Sequence, residues 1–114
     1  MDRGEKKVDR ELKLLKRIIT EEIEKAGFKV FKIILFGSRA RGDATEESDW
    51  DLLAIVNEDV SFDELKKLTA DIQLRLAALS IPNDVIIRGI KQFEASKTIV
   101  GNISYFADKE GIKI

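Results

Sequence analysis

Two residue types that often carry chemistry are missing from this 114-residue chain, which has no cysteine and no histidine. Without cysteine, the sequence excludes disulfides, thiolate nucleophiles and thiolate-ligated zinc or iron–sulfur sites. Without histidine, it excludes a serine–histidine–aspartate triad and a histidine-ligated zinc. A bound metal ion must therefore have oxygen ligands, which favour hard cations such as Mg²⁺ or Mn²⁺.

Long apolar runs and an excess of one charge are also missing. No run approaches the roughly 18 apolar residues of a membrane span, and the charged N-terminus lacks a signal peptide's apolar region. We therefore expect a cytoplasmic protein with no membrane partner. Twenty basic residues against twenty-one acidic ones give a net charge of -1, which makes nucleic-acid binding an unfavoured hypothesis. The length fits one domain over residues 1–114.

The spacing of apolar residues predicts an alternation of helices and strands. The predicted elements are, in order, a helix over 5–26 ending at Gly27, a strand over 30–36, a helical turn near Ala40, a strand over 51–56, a helix over 61–79, a strand over 84–88, a helix over 96–109 and an edge strand over 112–114. Ser61 and Glu64 match the capping box that begins a helix. The last helix is expected to bury Ile99, Val100, Ile103 and Phe106.

Three carboxylates stand at the starts of two of these strands: Asp49, Asp51 and Asp84. Residues i and i+2 of a strand face the same side, about 6.6 Å apart. Asp49 and Asp51 should therefore project together, with Trp50 on the opposite face. Like charges held this close repel each other unless a cation lies between them. Such carboxylates can bridge two divalent ions about 3.5–4 Å apart, with Asp84 as a further ligand and proton acceptor.

A glycine–serine turn, Gly37-Ser38, closes the first predicted strand. The missing glycine side chain lets backbone amides approach an anion, and the serine hydroxyl can donate to a phosphate oxygen. Arg39 and Arg41 follow, and the planar fork of arginine suits phosphate oxygens. The segment is a candidate triphosphate-binding turn.

A site that uses all these segments constrains the sheet. The end of the first strand must lie beside the starts of the other two, so strands one and two should be antiparallel and strands two and three parallel. The helix over 61–79 is long enough for the crossover that parallel pairing requires. The predicted fold is α/β (α+β): a small mixed β-sheet flanked by helices.

Each feature alone also has an ordinary structural interpretation. Asp-x-Asp is common in solvated turns, Asp84 follows the turn-forming Pro82-Asn83, Gly-Ser ends many strands, and loop arginines are usually solvated. Tyr105 and Phe106 are at helical spacing and favour packing. Only the joint pattern favours a catalytic site.

The joint pattern resembles a known family. Gly37-Ser38, ten further residues and then Asp49-x-Asp51 are similar to the signature of the DNA polymerase β-like nucleotidyltransferase superfamily. The Gly-Ser-x-x-Arg-Gly form at 37–42 and the short length resemble its minimal nucleotidyltransferases. The family's first two carboxylates map onto Asp49 and Asp51. Asp84, in a weaker Asn-Asp-Val-Ile-Ile motif, matches the third.

The resemblance implies a nucleotidyltransferase fold and transfer of AMP from ATP to a hydroxyl, with two Mg²⁺ ions and release of pyrophosphate. Mn²⁺ is the alternative metal. Minimal members are commonly paired with HEPN-type ribonuclease toxins, and some are antitoxins that add AMP to a tyrosine of that partner. The expected partner is therefore a HEPN-type toxin in a hetero-oligomer, with a homodimer left open.

Larger relatives carry an additional helical domain that helps to hold the acceptor, and 114 residues leave no room for one. A protein acceptor is therefore expected. Two alternatives stay open. One is an antitoxin that masks its partner by binding without catalysis, and the other is a small-molecule, antibiotic-modifying nucleotidyltransferase.

Overall fold

The computed structural model describes the backbone of residues 3–114 and the side chains of residues 7–114. Its elements are α1 (Arg3–Lys25), β1 (Val30–Phe36), α2 (Ser38–Arg41), β2 (Trp50–Val56), α3 (Phe62–Ala78), β3 (Asn83–Gly89), α4 (Ile90–Ser96), α5 (Ile103–Glu110) and β4 (Ile112–Lys113). The first two residues of the domain predicted over 1–114 lie outside the described residues. The three main strands, the short α2 and the edge strand all lie where the sequence predicts them.

The four strands form one mixed sheet in the order β3-β2-β1-β4. β1 is antiparallel to both β2 and β4, whereas β2 and β3 are parallel. α3 supplies the crossover between the parallel pair, as such a connection requires. The small mixed sheet and the predicted strand directions are confirmed.

Helices cover both faces of the sheet. Leu52 and Ala54 of β2 belong to a core shared with α1 and α3, and Leu53 and Ile55 belong to a second core shared with α4 and α5. The β2 side chains from Leu52 to Val56 are all buried. A strand with apolar residues on both faces occupies the interior of a sheet, as the sequence predicts for β2.

Local signals end α1 and begin α3 as the sequence predicts. Gly27, with φ of 95°, follows α1, and the Phe28 N–H donates to the Ile23 carbonyl at 3.1 Å in a Schellman-type ending. At the start of α3, the Ser61 Oγ accepts from the Glu64 N–H at 3.3 Å and donates to Glu64 Oε1 at 2.8 Å.

The single helix predicted over 96–109 is wrong. α4 ends at Ser96 and α5 begins at Ile103. Gly101 has a φ of 91° and the Asn102 side chain accepts from the Ser104 N–H at 2.9 Å, so the chain turns and caps a new helix. Of the residues expected inside, Ile103 packs on the second core, but Ile99, Val100 and Phe106 are 56%, 78% and 42% exposed.

α1, with 23 residues, is long enough to compare with a membrane-spanning helix. It buries Leu15 and Ile19 against the sheet but carries charged residues on its outer face. In the part of the chain that the structure describes, no helix is both long enough and apolar enough to cross a bilayer.

Two leucines of α3 allow a matched test of the first core. Leu76 is fully buried and Leu74 is 70% exposed. We expect Leu76→Ala to lower the free energy of unfolding by about 2–5 kcal/mol, because it removes buried methyl groups and leaves a cavity. Leu74→Ala should change it by less than about 0.5 kcal/mol. Urea unfolding of both variants measures the difference, and equal losses would contradict the burial of Leu76.

Candidate active site

The register of the sheet brings two of the candidate carboxylates side by side. Asp51 in β2 is paired with Asp84 in β3. The next residues, Leu52 and Val85, belong to the α1/α3 core, so the two aspartates face the α4/α5 side. Asp49 lies one residue before β2 and is exposed. The sheet thus places the predicted carboxylates at one end of adjacent strands.

The electrostatics of Asp51 show that the charged groups of the site act on one another. Burial raises the pKa of this half-buried carboxyl above its usual value, and the negative charges of Asp84 and then Asp49 raise the pKa further. The Arg41 guanidinium opposes these effects and lowers the pKa. Asp84, Asp49 and Arg41 therefore all lie within electrostatic reach of Asp51.

The three carboxylates form a candidate metal site. Among the described side chains, those of residues 7–114, no group of three or more Asp or Glu residues is close enough together to hold a metal ion. The chemistry of the donors nevertheless fits Mg²⁺ or Mn²⁺, because Asp49, Asp51 and Asp84 offer only oxygen. Their mutual repulsion at Asp51 is the kind that a bound cation relieves. Metal binding by these three residues stays a prediction.

Gly37 is in direct contact with Asp51, near the N-terminal end of β2. Phe36, the residue before it, pairs with Asp51 across the antiparallel ladder. Gly37 has φ 73° and ψ -158°, a conformation essentially restricted to glycine. A Cβ added to it would overlap Asp51 Oδ2 and lie 3.0 Å from Asp51 Cγ. The missing side chain is what allows the predicted phosphate-binding turn to approach Asp51.

Ser38 begins α2 directly after this turn. Within the described residues, no side chain caps the start of α2, so the first N–H groups of the helix lack a partner from capping. The Ser38 carbonyl accepts from the Gly42 and Asp43 N–H groups at 3.0 and 3.2 Å and closes the single helical turn. The amides and the Ser38 hydroxyl are the donors that a phosphate would use.

Arg41 extends from the end of α2 toward the acidic groups. Its guanidinium is half-exposed, with Nε 3.5 Å from Asp43 Oδ2 and Nη1 3.7 Å from Glu110 Oε2. Both partners are exposed, and such long, solvated pairs contribute little to stability. Arg41 is thus free to exchange these carboxylates for phosphate oxygens. The partner Glu110, at the end of α5, had no signal in the sequence.

Arg39 has different contacts. Its Nε and Nη2 donate to the Ser48 carbonyl at 3.1 and 2.9 Å, and Nη2 also donates to the Glu46 carbonyl at 3.3 Å. The guanidinium lies 4.2 Å from the centre of the Trp50 ring. These contacts hold the connection before Asp49, a role that the sequence did not suggest for Arg39.

A family model described as a nucleotidyltransferase domain matches residues 12–106. Two relatives from Methanocaldococcus jannaschii, both provisionally named protein adenylyltransferases, are 43% and 38% identical over 65 and 71 residues. The alignments cover 57% of this chain and 63% of the first relative, and 61% of this chain and 67% of the second. The chain therefore spans a little less than two thirds of the first relative.

Two solved structures share the fold. One is a toxin–antitoxin complex with AMP-PNP. Its matched chain has a TM-score of 0.55 and 18% identity, and the match covers 85% of this chain and 69% of the matched chain. The other is a variant of the toxin–antitoxin pair MntA–HpeT, with a TM-score of 0.51, 17% identity and coverage of 87% and 70%. At these identities the likeness shows the fold alone.

A glycine substitution tests the contact between the turn and Asp51. Gly37 and Gly27 both have positive φ, but only Gly37 has an atom of Asp51 where a Cβ would stand. Gly27→Ala should lose about 1–2 kcal/mol of unfolding free energy from backbone strain, and the strain at Gly37 should cost about 1–3 kcal/mol. Gly37→Ala should lose more, because the Asp51 carboxylate must move. Equal losses in urea unfolding would contradict the close approach.

The apo protein should be less stable with Asp51 ionised. A raised folded-state pKa means that Asp51 destabilises the fold as pH rises from the ordinary pKa of 3.8 through the folded pKa. We expect Asp51→Asn to be more stable than wild type at neutral pH in EDTA, with a gap that closes below pH 3.8. Thermal unfolding over a pH series measures this. A variant less stable at neutral pH would contradict the raised pKa of Asp51, which burial and the neighbouring negative charges cause.

Proposed function

This chain belongs to the nucleotidyltransferase domain family, and from that premise we propose that it transfers AMP from ATP to a hydroxyl group of a partner protein. The observation that supports this most is the contact of the Gly37 turn with Asp51, whose strand neighbour is Asp84. A turn suited to phosphate and carboxylates suited to a hard cation lie together at one end of the sheet.

Each residue has a proposed role. Gly37 and Ser38 donate hydrogen bonds to the triphosphate, and Arg41 supplies positive charge to it. Asp49 and Asp51 would hold both Mg²⁺ ions, and Asp84 one of them. When bound, Mg²⁺ (or Mn²⁺) supplies positive charge against the triphosphate. This arrangement fits phosphoryl-type transfer, which depends mainly on positioning and charge neutralisation.

The proposed transfer is a displacement at the α-phosphorus of ATP. The acceptor hydroxyl oxygen forms a bond to the α-phosphorus of ATP, and the bond from that phosphorus to the bridging oxygen of the leaving group breaks. Asp84 accepts the hydroxyl proton, because it is exposed at the edge strand where an acceptor can approach. Pyrophosphate leaves, and AMP stays on the acceptor.

The proposed acceptor is a tyrosine of a HEPN-type toxin in the cytoplasm, with this chain as the antitoxin. The protein adenylyltransferase names of the two archaeal relatives support a protein acceptor, and the toxin–antitoxin neighbours support a toxin as partner. Exposed apolar surface at Ile99 and Val100 also supports a protein partner. These residues lie in the turn between α4 and α5, the helices that cover the face of the sheet toward which Asp51 and Asp84 point.

Removing one carboxylate tests the enzyme proposal. Asp49→Asn and Asp51→Asn should each reduce the transfer of labelled AMP from ATP to background, because each removes a proposed metal ligand. Glu47→Gln, an exposed acid of the same connection, is the matched control and should keep wild-type activity. The assay uses as acceptor whichever protein the neighbouring reading frame encodes, co-expressed with this chain, and mass spectrometry detects the added AMP. Undiminished transfer in both aspartate variants would defeat the metal assignment.

The masking alternative makes a different prediction for the same variant. If binding alone neutralises the toxin, Asp51→Asn should still protect cells at equal expression. If transfer of AMP is required, protection should be lost while the complex still forms. Growth of cells that express the toxin with each variant, together with co-purification of the two proteins, distinguishes the two functions.

A further inference from the structure

We infer that Arg39 is a positioning residue for the metal-binding carboxylates rather than a ligand of the triphosphate. The inference rests on the proposed function, since it names what Arg39 does for that same site. It concerns the segment from Gly42 to Asp49, here called the connecting loop, which joins the phosphate-binding turn to β2.

The donors of Arg39 point at the end of the connecting loop. Nε and Nη2 both donate to the carbonyl of Ser48, at 3.1 and 2.9 Å, and Nη2 reaches the Glu46 carbonyl at 3.3 Å. The Ser48 carbonyl belongs to the peptide group that leads directly into Asp49. The direction of the Asp49 side chain therefore depends on where Arg39 holds this peptide.

The loop also secures Ser48 from its other side. The Thr45 N–H donates to Ser48 Oγ at 2.9 Å, and the Ser48 N–H donates to the Thr45 carbonyl at 3.1 Å. The hydroxyl, amide and carbonyl of Ser48 are thus all hydrogen-bonded. Thr45 is the partner of the hydroxyl and the amide, and Arg39 is the donor to the carbonyl. Without Arg39, the turn at 45–48 would keep its own bonds but lose its attachment to α2.

Trp50 and Glu11 fix the guanidinium in turn. The Arg39 Cζ lies 4.2 Å from the centre of the Trp50 ring, in cation–π geometry. Trp50 is 1% exposed, and its indole N–H donates to Glu11 Oε2 at 3.2 Å. A continuous set of contacts therefore runs from α1 through Trp50 and Arg39 to the peptide before Asp49.

The contrast with Arg41 separates positioning from phosphate binding. Among the side chains that the structure describes, Arg41 is paired only with exposed carboxylates, at 3.5 and 3.7 Å, which a phosphate can replace. To reach a phosphate, Arg39 would have to break its hydrogen bonds to two backbone carbonyls and its contact with the buried Trp50 ring. Lysine cannot reproduce the fork or the stacking, so Arg39→Lys keeps the charge and removes the positioning contacts.

The test uses Trp50, the only tryptophan of the chain, as a reporter beside the carboxylates. Mn²⁺ titrations of the apo protein follow quenching of its fluorescence. We expect Arg39→Lys to weaken Mn²⁺ binding by about ten- to hundredfold, as losses of residues that orient metal ligands do. Its ATP affinity, measured in EDTA, should stay at the wild-type value, whereas Arg41→Lys should weaken ATP binding.

Two further variants separate positioning from general damage. Arg75→Lys disturbs an arginine paired with Glu21 and Glu22 away from the site, and it should leave both affinities unchanged. Glu11→Gln weakens the same set of contacts one step further out and should give a smaller loss of Mn²⁺ affinity than Arg39→Lys. Hydrogen exchange of peptides over residues 43–49 should be faster in Arg39→Lys and unchanged in Arg75→Lys.

The outcomes are distinguishable. Weaker ATP binding by Arg39→Lys with unchanged Mn²⁺ affinity and unchanged loop exchange would overturn the inference and make Arg39 a phosphate ligand. Faster exchange with unchanged Mn²⁺ affinity would also overturn it, because the loop would then not position the carboxylates. A wild-type protein that binds no Mn²⁺ would count against the proposed function itself. The exchange and ATP measurements would then decide the role of Arg39 alone.

Discussion

The placement of β2 between two strands of opposite direction is the constraint on which the site depends. The antiparallel partner β1 ends where β2 begins, and the parallel partner β3 begins at the same level. The turn that follows β1 and one carboxylate from each of β2 and β3 therefore lie at the same end of the sheet. Neither an all-parallel nor an all-antiparallel arrangement of these strands would bring the Gly37 turn, Asp51 and Asp84 together.

This arrangement concentrates negative charge, which opposes folding at the site. The repulsion at Asp51 is tolerated because burial of apolar residues on both faces of β2 fixes the register independently of the carboxylates. A slip of one residue would turn Leu52 and Leu53 to the wrong cores, a far larger loss than the charge repulsion. The core thus holds in place a group of charges that would separate in a looser scaffold, a common feature of functional sites.

The sequence predicted the parts of the fold that local patterns determine. Apolar runs located β1, β2 and β3, and the requirement that one site unite Gly37, Asp51 and Asp84 predicted the strand directions. It failed between residues 96 and 109, where apolar spacing suggested one helix although Gly101 and Asn102 carry a turn and a cap. It also missed the Glu11–Trp50 hydrogen bond, which joins residues 39 positions apart. No local pattern can indicate such a contact, since tertiary packing alone creates it.

Arg39 and Arg41 illustrate how a single helical turn separates two roles. At 3.6 residues per turn, side chains two positions apart point about 200° away from each other around the axis. Arg39 therefore faces Trp50 and the connecting loop, while Arg41 faces Glu110 and the charge of Asp51. The sequence could assign both arginines to phosphate because it shows their type and spacing. The direction of each follows only from where α2 is anchored, at Gly37 on one end and against Trp50 on its flank.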